Sequence, residues 1–543
     1  VSGGLRQRLA DGVAALSLLG PAGVLGRVAW TRVPHAALAA ARAGLGLAAL
    51  VPVHAAQHPD AEALVDEAGR RWSWAALERD TRRLAAALAA VGAGPGAAVA
   101  LHARNRAELW IAQLAAMRAG LTAVQLGSGQ RAGELAPMLA NATPRAALVE
   151  AAVRAEFDAA CALAGVAPTV LALDELDGVL AAVPERAPLP RAGDVGDAGS
   201  IVYTSGTTGR PKGAHRAWRK TGLQAGADLI RRVGIRTDER HLVVCPLYHS
   251  AAPAIAGIVS MLGGTVVVAD GFEPERVLAL VARERITSIL VVPTMLDRLA
   301  ALAPEVRARH DLSSLRWVLS GAAPLATETA ARFQAAYGAI LWNFYGSTEN
   351  GLVSLAAPSD HATYPGTVGT LLAGVTIELL SAAGRPVARG EIGELHARTA
   401  TEVTGYHRDP EATKRARRDA GFSVGDLARQ DLGGHLYLAA RTHDLIISGG
   451  VNIYPRELED RLRAHPAVAD AAVLGQPDPE WGERVVAAIV VRAGAAVPTL
   501  DEVRAWIGAT HAAYKRPREL WVVEALPYSA TGKLDKRALA ASR

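Results

Sequence analysis

Short apolar, β-branched runs alternate with longer amphipathic stretches over most of the chain. The runs at 98–102, 201–204, 241–247, 264–269, 288–292, 317–320 and 339–345 have the length and composition of strands, while 107–119 and 274–284 carry apolar residues at helical spacing. Strands and helices in alternation predict an α/β fold with a large N-terminal domain of parallel-rich sheets flanked by helices. In such sheets ligands gather at the carboxyl ends of the strands. After about residue 440 the pattern shortens to a helix opened by Pro455, strands near 471–474 and 485–491, a helix near 502–508 and a strand at 520–523, which predicts a small α+β C-terminal domain. The expected organisation is a helical N-terminal arm over 1–54, a large domain over 55–441 and a small domain over 442–543.

A chain of 543 residues exceeds what one hydrophobic core organises, so more than one domain fits its length. With half of its residues apolar and a fifth charged, the composition is that of a globular protein. The net charge of +5 comes from scattered arginines rather than basic blocks, which removes the argument for a nucleic-acid partner and leaves a phosphate-rich substrate equally welcome. Cys161 and Cys245 are too few for a disulfide framework or a thiolate metal site, so a reduced, cytoplasmic setting is expected. No apolar run reaches membrane-spanning length without charges. Residues 5–52 are apolar stretches interrupted by Arg27, Arg32 and Arg42, and two readings stay open for them: an arm packed on the main body, or a surface helix in peripheral contact with a membrane.

The segment with the clearest chemistry is Tyr203-Thr204-Ser205-Gly206-Thr207-Thr208-Gly209-Arg210-Pro211-Lys212-Gly213, which follows the run at 201–204. Glycines allow a tight backbone whose N–H groups can face a phosphate, the hydroxyls add donors, and Lys212 adds charge. It is not a Walker loop, which needs Lys followed by Ser or Thr at a helix start; here Lys212 follows Pro211 and precedes Gly213. The chain holds only six lysines among its 58 basic residues. Two of them, Lys212 and Lys533, sit in Gly-containing loops, where a compact point charge suits a phosphate oxygen.

This segment resembles the phosphate-binding signature of the adenylate-forming superfamily, which includes acyl-CoA synthetases. Further signatures follow in that family's order: Pro246 to His249, Ser320 to Pro324, Asn343 to Glu349, Gly390 to Leu395, Gly405-Tyr406, Phe422 to Asp426, Arg441, and Pro527 to Lys533. The resemblance covers about residues 55–540 and implies an ATP- and Mg²⁺-dependent acid:CoA ligase that forms an acyl-adenylate and then a thioester. It implies an ATP and AMP site made of Thr204, Ser205, Gly206, Thr207, Thr208, Gly209 and Lys212, with Tyr345 stacked on adenine beside Gly321, Ala322, Ala323 and Gly346. Asp426 and Arg441 would hold the ribose, Thr348 the α-phosphate, Glu349 the Mg²⁺ ion, and Lys533 would bridge substrate carboxylate and α-phosphate.

The family turns its small domain about a hinge, which falls here at His443, where Asp or Lys is usual; Ser448, Gly449 and Gly450 would then admit CoA. The acyl pocket is expected around His249, Ser250, Ala251, Ala252, Gly346 and Gly351, whose small side chains suggest room for a medium- or long-chain fatty acid. His249 has a second reading as a core residue. Aryl and specialised-metabolite acids, a separate carrier protein as acceptor, and a catalytically inactive nucleotide-binding homologue are the alternatives.

Overall fold

The computed structural model describes residues 22–23, 27–43, 47–185, 198–204, 211–218, 222–448, 451–529 and 533–543. Its centre is a nine-stranded sheet in which six parallel strands lie side by side: Glu62–Asp66, Thr265–Val268, Arg240–Val243, Ser288–Val291, Trp317–Ser320 and Leu341–Ser347. Antiparallel strands close both edges. A seven-stranded sheet runs beside it, parallel from Gly199–Thr204 through Thr122–Leu126, Ala98–His102 and Ala146–Val149 to Thr169–Ala172, with Lys212–Ala217 and Gly405–Tyr406 antiparallel at the other edge.

The sequence pattern located the strands whose runs it marked because segments such as Thr265–Val268 and Ser288–Val291 are buried at every position, as strands covered on both faces must be; it did not mark Glu62–Asp66, Thr122–Leu126, Ala146–Val149 or Thr169–Ala172. The run at 241–247 stops earlier than its apolar residues suggest, at Val243, ahead of Pro246, which has no N–H for a ladder. Helix Ala107–Arg118, buried at ten of its twelve positions, joins the largest core cluster. That burial explains why its apolar residues show no single stripe.

A third sheet was not legible in the pattern. It is five-stranded and antiparallel, built from Thr376–Leu380, Gly393–Arg398, Gly421–Gln430, Arg417–Arg418 and Leu436–Arg441. In its last pairing Asp426 lies opposite Arg441. The chain leaves this sheet through a tight turn in which the nitrogens of Asp444 and Leu445 both donate to the Arg441 carbonyl, at 3.0 and 3.1 Å. It then enters a fourth sheet made of Ile446–Ser448, Val451–Ile453, Val468–Asp478, Gly482–Val491 and Glu519–Val522, with its own apolar cluster under helices Pro455–Arg463 and Leu500–Gly508. An Arg492–Glu328 ion pair at 3.2 Å ties this last part to the body.

Within the expected arm, residues 1–21, 24–26 and 44–46 lie outside the described residues. Of the rest, the helix Leu50–Gln57 packs on the body: Leu50 and Val51 are buried, and His54 donates from its ring to the Met261 carbonyl at 3.0 Å, its ring centre 4.6 Å from that of Trp74. Its outer face keeps Trp30 and Leu38 exposed, at 70% and 49%. Among the described residues no helix is long and apolar enough to cross a membrane.

Candidate active site

One connected cavity of about 2740 Å³ opens between the strand ends of the two large sheets and the C-terminal part of the chain. The strand Gly199–Thr204 delivers Thr204 to it, and the antiparallel register sets Lys212 directly opposite. The loop residues Ser205, Gly206, Thr207, Thr208 and Gly209 lie outside the described residues. The Lys212 ammonium stands 5.3 Å from the centre of the Tyr406 ring. Tyr406 donates its hydroxyl to Glu349 Oε1 at 3.0 Å, and the Thr204 hydroxyl donates to the same oxygen at 3.3 Å. Both described bonds to this buried carboxylate land on Oε1, so Oε2 is left for another partner. Burial, and then the Glu349 charge, push the Tyr406 phenol far up, which keeps it a donor.

The hairpin of Leu341–Ser347 and Gly351–Ala356 supplies the next wall. Tyr345 donates to Asp426 Oδ2 at 2.7 Å, and Arg441 Nε lies 3.3 Å from Asp426 Oδ1. Burial first, with the Asp426 charge second, raises the Tyr345 phenol well above its ordinary value. Asn343, two residues earlier on the same strand, lines the cavity with an amide oxygen that has no partner among the described residues. Ala322 and Ala323 also line it, Ala322 with a left-handed φ of 67°, a conformation a non-glycine residue adopts only under constraint.

Three expectations need correction here. Gly321 does not line the cavity; a Cβ there would meet the Phe344 ring at 2.3 Å, so the glycine makes room for that ring and not for a ligand. Ala252 is buried in the core, because the helix Ala251–Met261 turns Ala251, Ala254, Gly257 and Ile258 to the cavity and Ala252, Ile255, Ala256 and Val259 to the sheet. Gly346 and Gly351 do reach the cavity, but close approach of backbone explains their size: a Cβ on Gly346 would stand 2.2 Å from the Gly351 carbonyl oxygen, and one on Gly351, at φ 75°, would stand 2.2 Å from Thr401 Oγ1.

Lys533 enters from the C-terminal side. Its backbone is pinned by Ser529, whose nitrogen donates to the Lys533 carbonyl at 2.8 Å. Its accessible surface faces the cavity, where protein surrounds the ammonium at longer range; burial first, then Arg441, lower its pKa, against the opposing pull of Asp426 and Glu349. Burial first and Lys533 second bring His249 down to about 3, so its imidazole is neutral near pH 7, with Nε2 unpartnered among the described residues. Ser250 follows, its hydroxyl 3.4 Å from that of Thr348. His443 also lines the cavity, 3.6 Å from Asp444, its pKa lowered mainly by burial. Ser448 is buried in a strand opposite Gly482 and Val451, off the cavity, and Gly449 and Gly450 lie outside the described residues.

Residue types alone did not single out Tyr406, Asn343 or Arg216 for roles. Tyr406 and Asn343 stood inside quoted motifs, and a phenol after Gly405 was the available signal. Among the described residues no group of three or more His, Cys, Asp or Glu could hold a metal ion. A hard cation here would have Glu349 as its protein carboxylate and complete its shell from phosphate and water, an arrangement Mg²⁺ favours.

The family profile of AMP-binding enzymes matches residues 51–407, and that of the AMP-binding enzyme C-terminal domain matches 457–533. A feruloyl-CoA synthase from an Amycolatopsis species is 37% identical over 492 residues, covering 89% of this chain and 96% of its own. A medium/long-chain-fatty-acid–CoA ligase, FadD8 of Mycobacterium tuberculosis, is 34% identical over 349 residues, covering 63% of this chain and 60% of its own. Among solved structures, ATP-bound MatB from Rhodopseudomonas palustris superposes with a TM-score of 0.81 at 29% identity over 89% of this chain and 95% of that one; apo MatB gives 0.72. The chain belongs to the AMP-binding enzyme family and is an ATP-dependent, AMP-forming acid–thiol ligase.

Proposed function

We propose that this ligase activates a medium- or long-chain fatty acid and passes it to CoA. The observation that carries the reading is the course of the cavity. From His249 it follows the helix Ala251–Met261, about 16 Å long at 1.5 Å per residue, to Leu50, Val53 and His54 of the N-terminal arm. The wall along that course includes Ala251, Ala254, Gly257, Ile258, Met261 and Leu262, which suits an alkyl chain.

Gly257 supports it independently. A glycine in mid-helix is unfavourable by roughly 0.5–1 kcal/mol relative to alanine, and a Cβ at Gly257 would meet nothing within 4 Å. No packing demand accounts for it; room for a ligand does. Gly257→Phe is expected to keep the fold and to lower kcat/KM for long acids about 10-fold or more relative to short ones, measured by AMP release across a chain-length series. A parallel loss for every length would contradict the channel.

In the first half-reaction the substrate carboxylate attacks the α-phosphorus of ATP and pyrophosphate leaves. Tyr345 would stack on adenine between Ala322 and Ala323, with Asn343 offering its free amide oxygen to the exocyclic amine. Asp426, which already accepts from Tyr345 and faces Arg441, would accept the ribose hydroxyls. Thr348 and Lys212 would hold phosphate oxygens, and Lys533 would meet the charge that builds on the α-phosphate. Glu349 would hold Mg²⁺ through Oε2, and the ion supplies charge neutralisation on the phosphates.

In the second half-reaction the CoA thiol attacks the acyl carbonyl and AMP leaves. We place the domain boundary and hinge at the turn after Arg441, where rotation about His443 would withdraw Lys533 and bring the 448–450 loop to the site.

A second reading, an aryl acid, is favoured by the 37% identity to a feruloyl-CoA synthase. Offering the enzyme ATP, Mg²⁺ and CoA with saturated fatty acids, ferulate-type acids and amino acids, and quantifying the thioesters by mass spectrometry, tests both. Highest kcat/KM with fatty acids is expected; highest kcat/KM with aryl acids would replace the first reading by the second.

A further inference from the structure

Arg216 carries an inference that rests on the ligase reading and deepens it. It sits on the strand Lys212–Ala217, which pairs antiparallel with Gly199–Thr204 so that Thr204 faces Lys212, Val202 faces Ala214 and Ser200 faces Arg216. Alternation puts these six side chains on one face of the sheet, and all six line the cavity. Thr204 and Lys212 mark its phosphate end. Arg216 and Ser200 stand four residues further in, about 13 Å along the strand at roughly 3.3 Å per residue.

A guanidinium in that place needs compensation. Arg216 Nη2 donates to the Thr348 carbonyl at 2.6 Å. Among the described residues its buried Nε has no partner, Nη1 makes no hydrogen bond, and no carboxylate lies within 4 Å of the guanidinium. Burial brings its pKa down from 12.5 to about 10, the Glu349 charge being the influence that opposes this. Two other deeply set arginines are paired closely: Arg118 meets Glu78 at 2.6 Å and Arg463 meets Asp470 at 3.0 Å. Arg216 is half-buried and opens on the cavity; a charge so placed without such a partner is unfavourable unless a group in the cavity supplies the acceptor.

We propose that Arg216, with Ser200 opposite, is a subsite for a second oxygen acceptor on the acid substrate: a hydroxyl, keto or further carboxyl group. Its position follows from the contact with Thr348, whose hydroxyl lies 3.4 Å from Ser250 at the start of the acyl wall. The subsite is therefore at the near end of the channel, and the acceptor belongs within a few carbons of the carboxylate that reacts. The alkyl remainder then runs along Ala254, Gly257 and Ile258. A fatty acid oxygenated near its carboxyl end satisfies both parts of the cavity; a plain one leaves the guanidinium unpaired, and a site that expects an acceptor discriminates strongly against analogues lacking it.

The test is acid-dependent exchange of labelled pyrophosphate into ATP, comparing octanoate with β-hydroxyoctanoate, γ-keto-octanoate and pentylsuccinate, which carries its second carboxyl on the β-carbon, in the wild type, Arg216→Met and Arg216→Lys. The readout is the ratio of kcat/KM for each oxygenated acid to that for octanoate. This ratio does not depend on the fraction of enzyme that is folded, so a destabilised variant still reports. At least one oxygenated acid is expected to exceed octanoate about 10-fold or more in the wild type. The ratio should fall to about one in Arg216→Met and to an intermediate value in Arg216→Lys. A wild-type ratio of one or less for all three acids, or a ratio unmoved by Arg216→Met, overturns the inference: the guanidinium would then only brace the Thr348 backbone. No exchange with any acid, by an enzyme that binds ATP, overturns the ligase reading and this inference together.

Discussion

Adenylation is expected to slow about 100-fold or more when Lys533 is replaced by alanine, while thioester formation from pre-made acyl-adenylate continues near the wild-type rate. The asymmetry follows from where the side chain is anchored. Lys533 belongs to the C-terminal part of the chain, beyond the turn at Arg441–Asp444, yet its ammonium feels Asp426, Glu349 and Arg441 of the body and in turn depresses His249. A cation brought in by a movable element acts on one half-reaction only, and charge on the α-phosphate grows in the transition state of that half.

The depressed pKa adds a signature. The ammonium is the active form, so activity is present below that pKa and lost as pH rises through it. The alkaline limb of kcat/KM for adenylation, which reports the free enzyme, should begin below the ordinary lysine value of 10.5 and be missing in Lys533→Ala. Equal loss in both half-reactions would assign Lys533 to general stability instead.

Asp426→Ala is expected to lower both half-reactions, because Asp426 stays with the large body whichever way the tail turns. Its carboxylate would accept two ribose hydroxyls, and hydrogen bonds to a charged group contribute about 1.5–3 kcal/mol each. Losing both removes about 3–6 kcal/mol, or roughly 10²–10⁴-fold in kcat/KM. Two neighbours lose their acceptor as well: the buried Tyr345 hydroxyl, now at 2.7 Å, and Arg441, now at 3.3 Å. Rapid-quench measurement of each half-reaction separates this result from that of Lys533→Ala. Loss confined to adenylation would contradict a ribose role.

How far the sequence alone reached depended on the kind of constraint. Strands buried on both faces announce themselves as continuous apolar runs, so most of the parallel core was legible, from Ala98–His102 to Leu341–Ser347; the runs at Glu62–Asp66, Thr122–Leu126, Ala146–Val149 and Thr169–Ala172 were not marked. The third sheet was not, because its strands carry exposed and half-buried positions, as in Thr376–Leu380, where only Leu380 is buried, or are only two residues long, as in Arg417–Arg418. Site residues inside dense motifs, Thr204, Lys212, Tyr345, Glu349, Asp426 and Lys533, all line one cavity. Small residues misled where packing set their size: Gly321 yields to Phe344, and Ala252 faces the sheet one helical step from Ala251. Arg216 had no local signal. Only the antiparallel register that sets it beside Ser200, deep on the face begun by Lys212, gives it meaning.

The claim on which the account rests is that a carboxylate and ATP react in this cavity under the ammonium of Lys533. Pre-steady-state mixing of the enzyme with ATP, Mg²⁺ and a candidate acid, without CoA, tests it most directly. The account predicts a burst of pyrophosphate close to one equivalent per site, with acyl-adenylate retained on the enzyme and the burst slowed in Lys533→Ala. A wild-type enzyme that binds ATP and yet releases no pyrophosphate with any acid, or releases it at the same rate whether or not an acid is present, contradicts it.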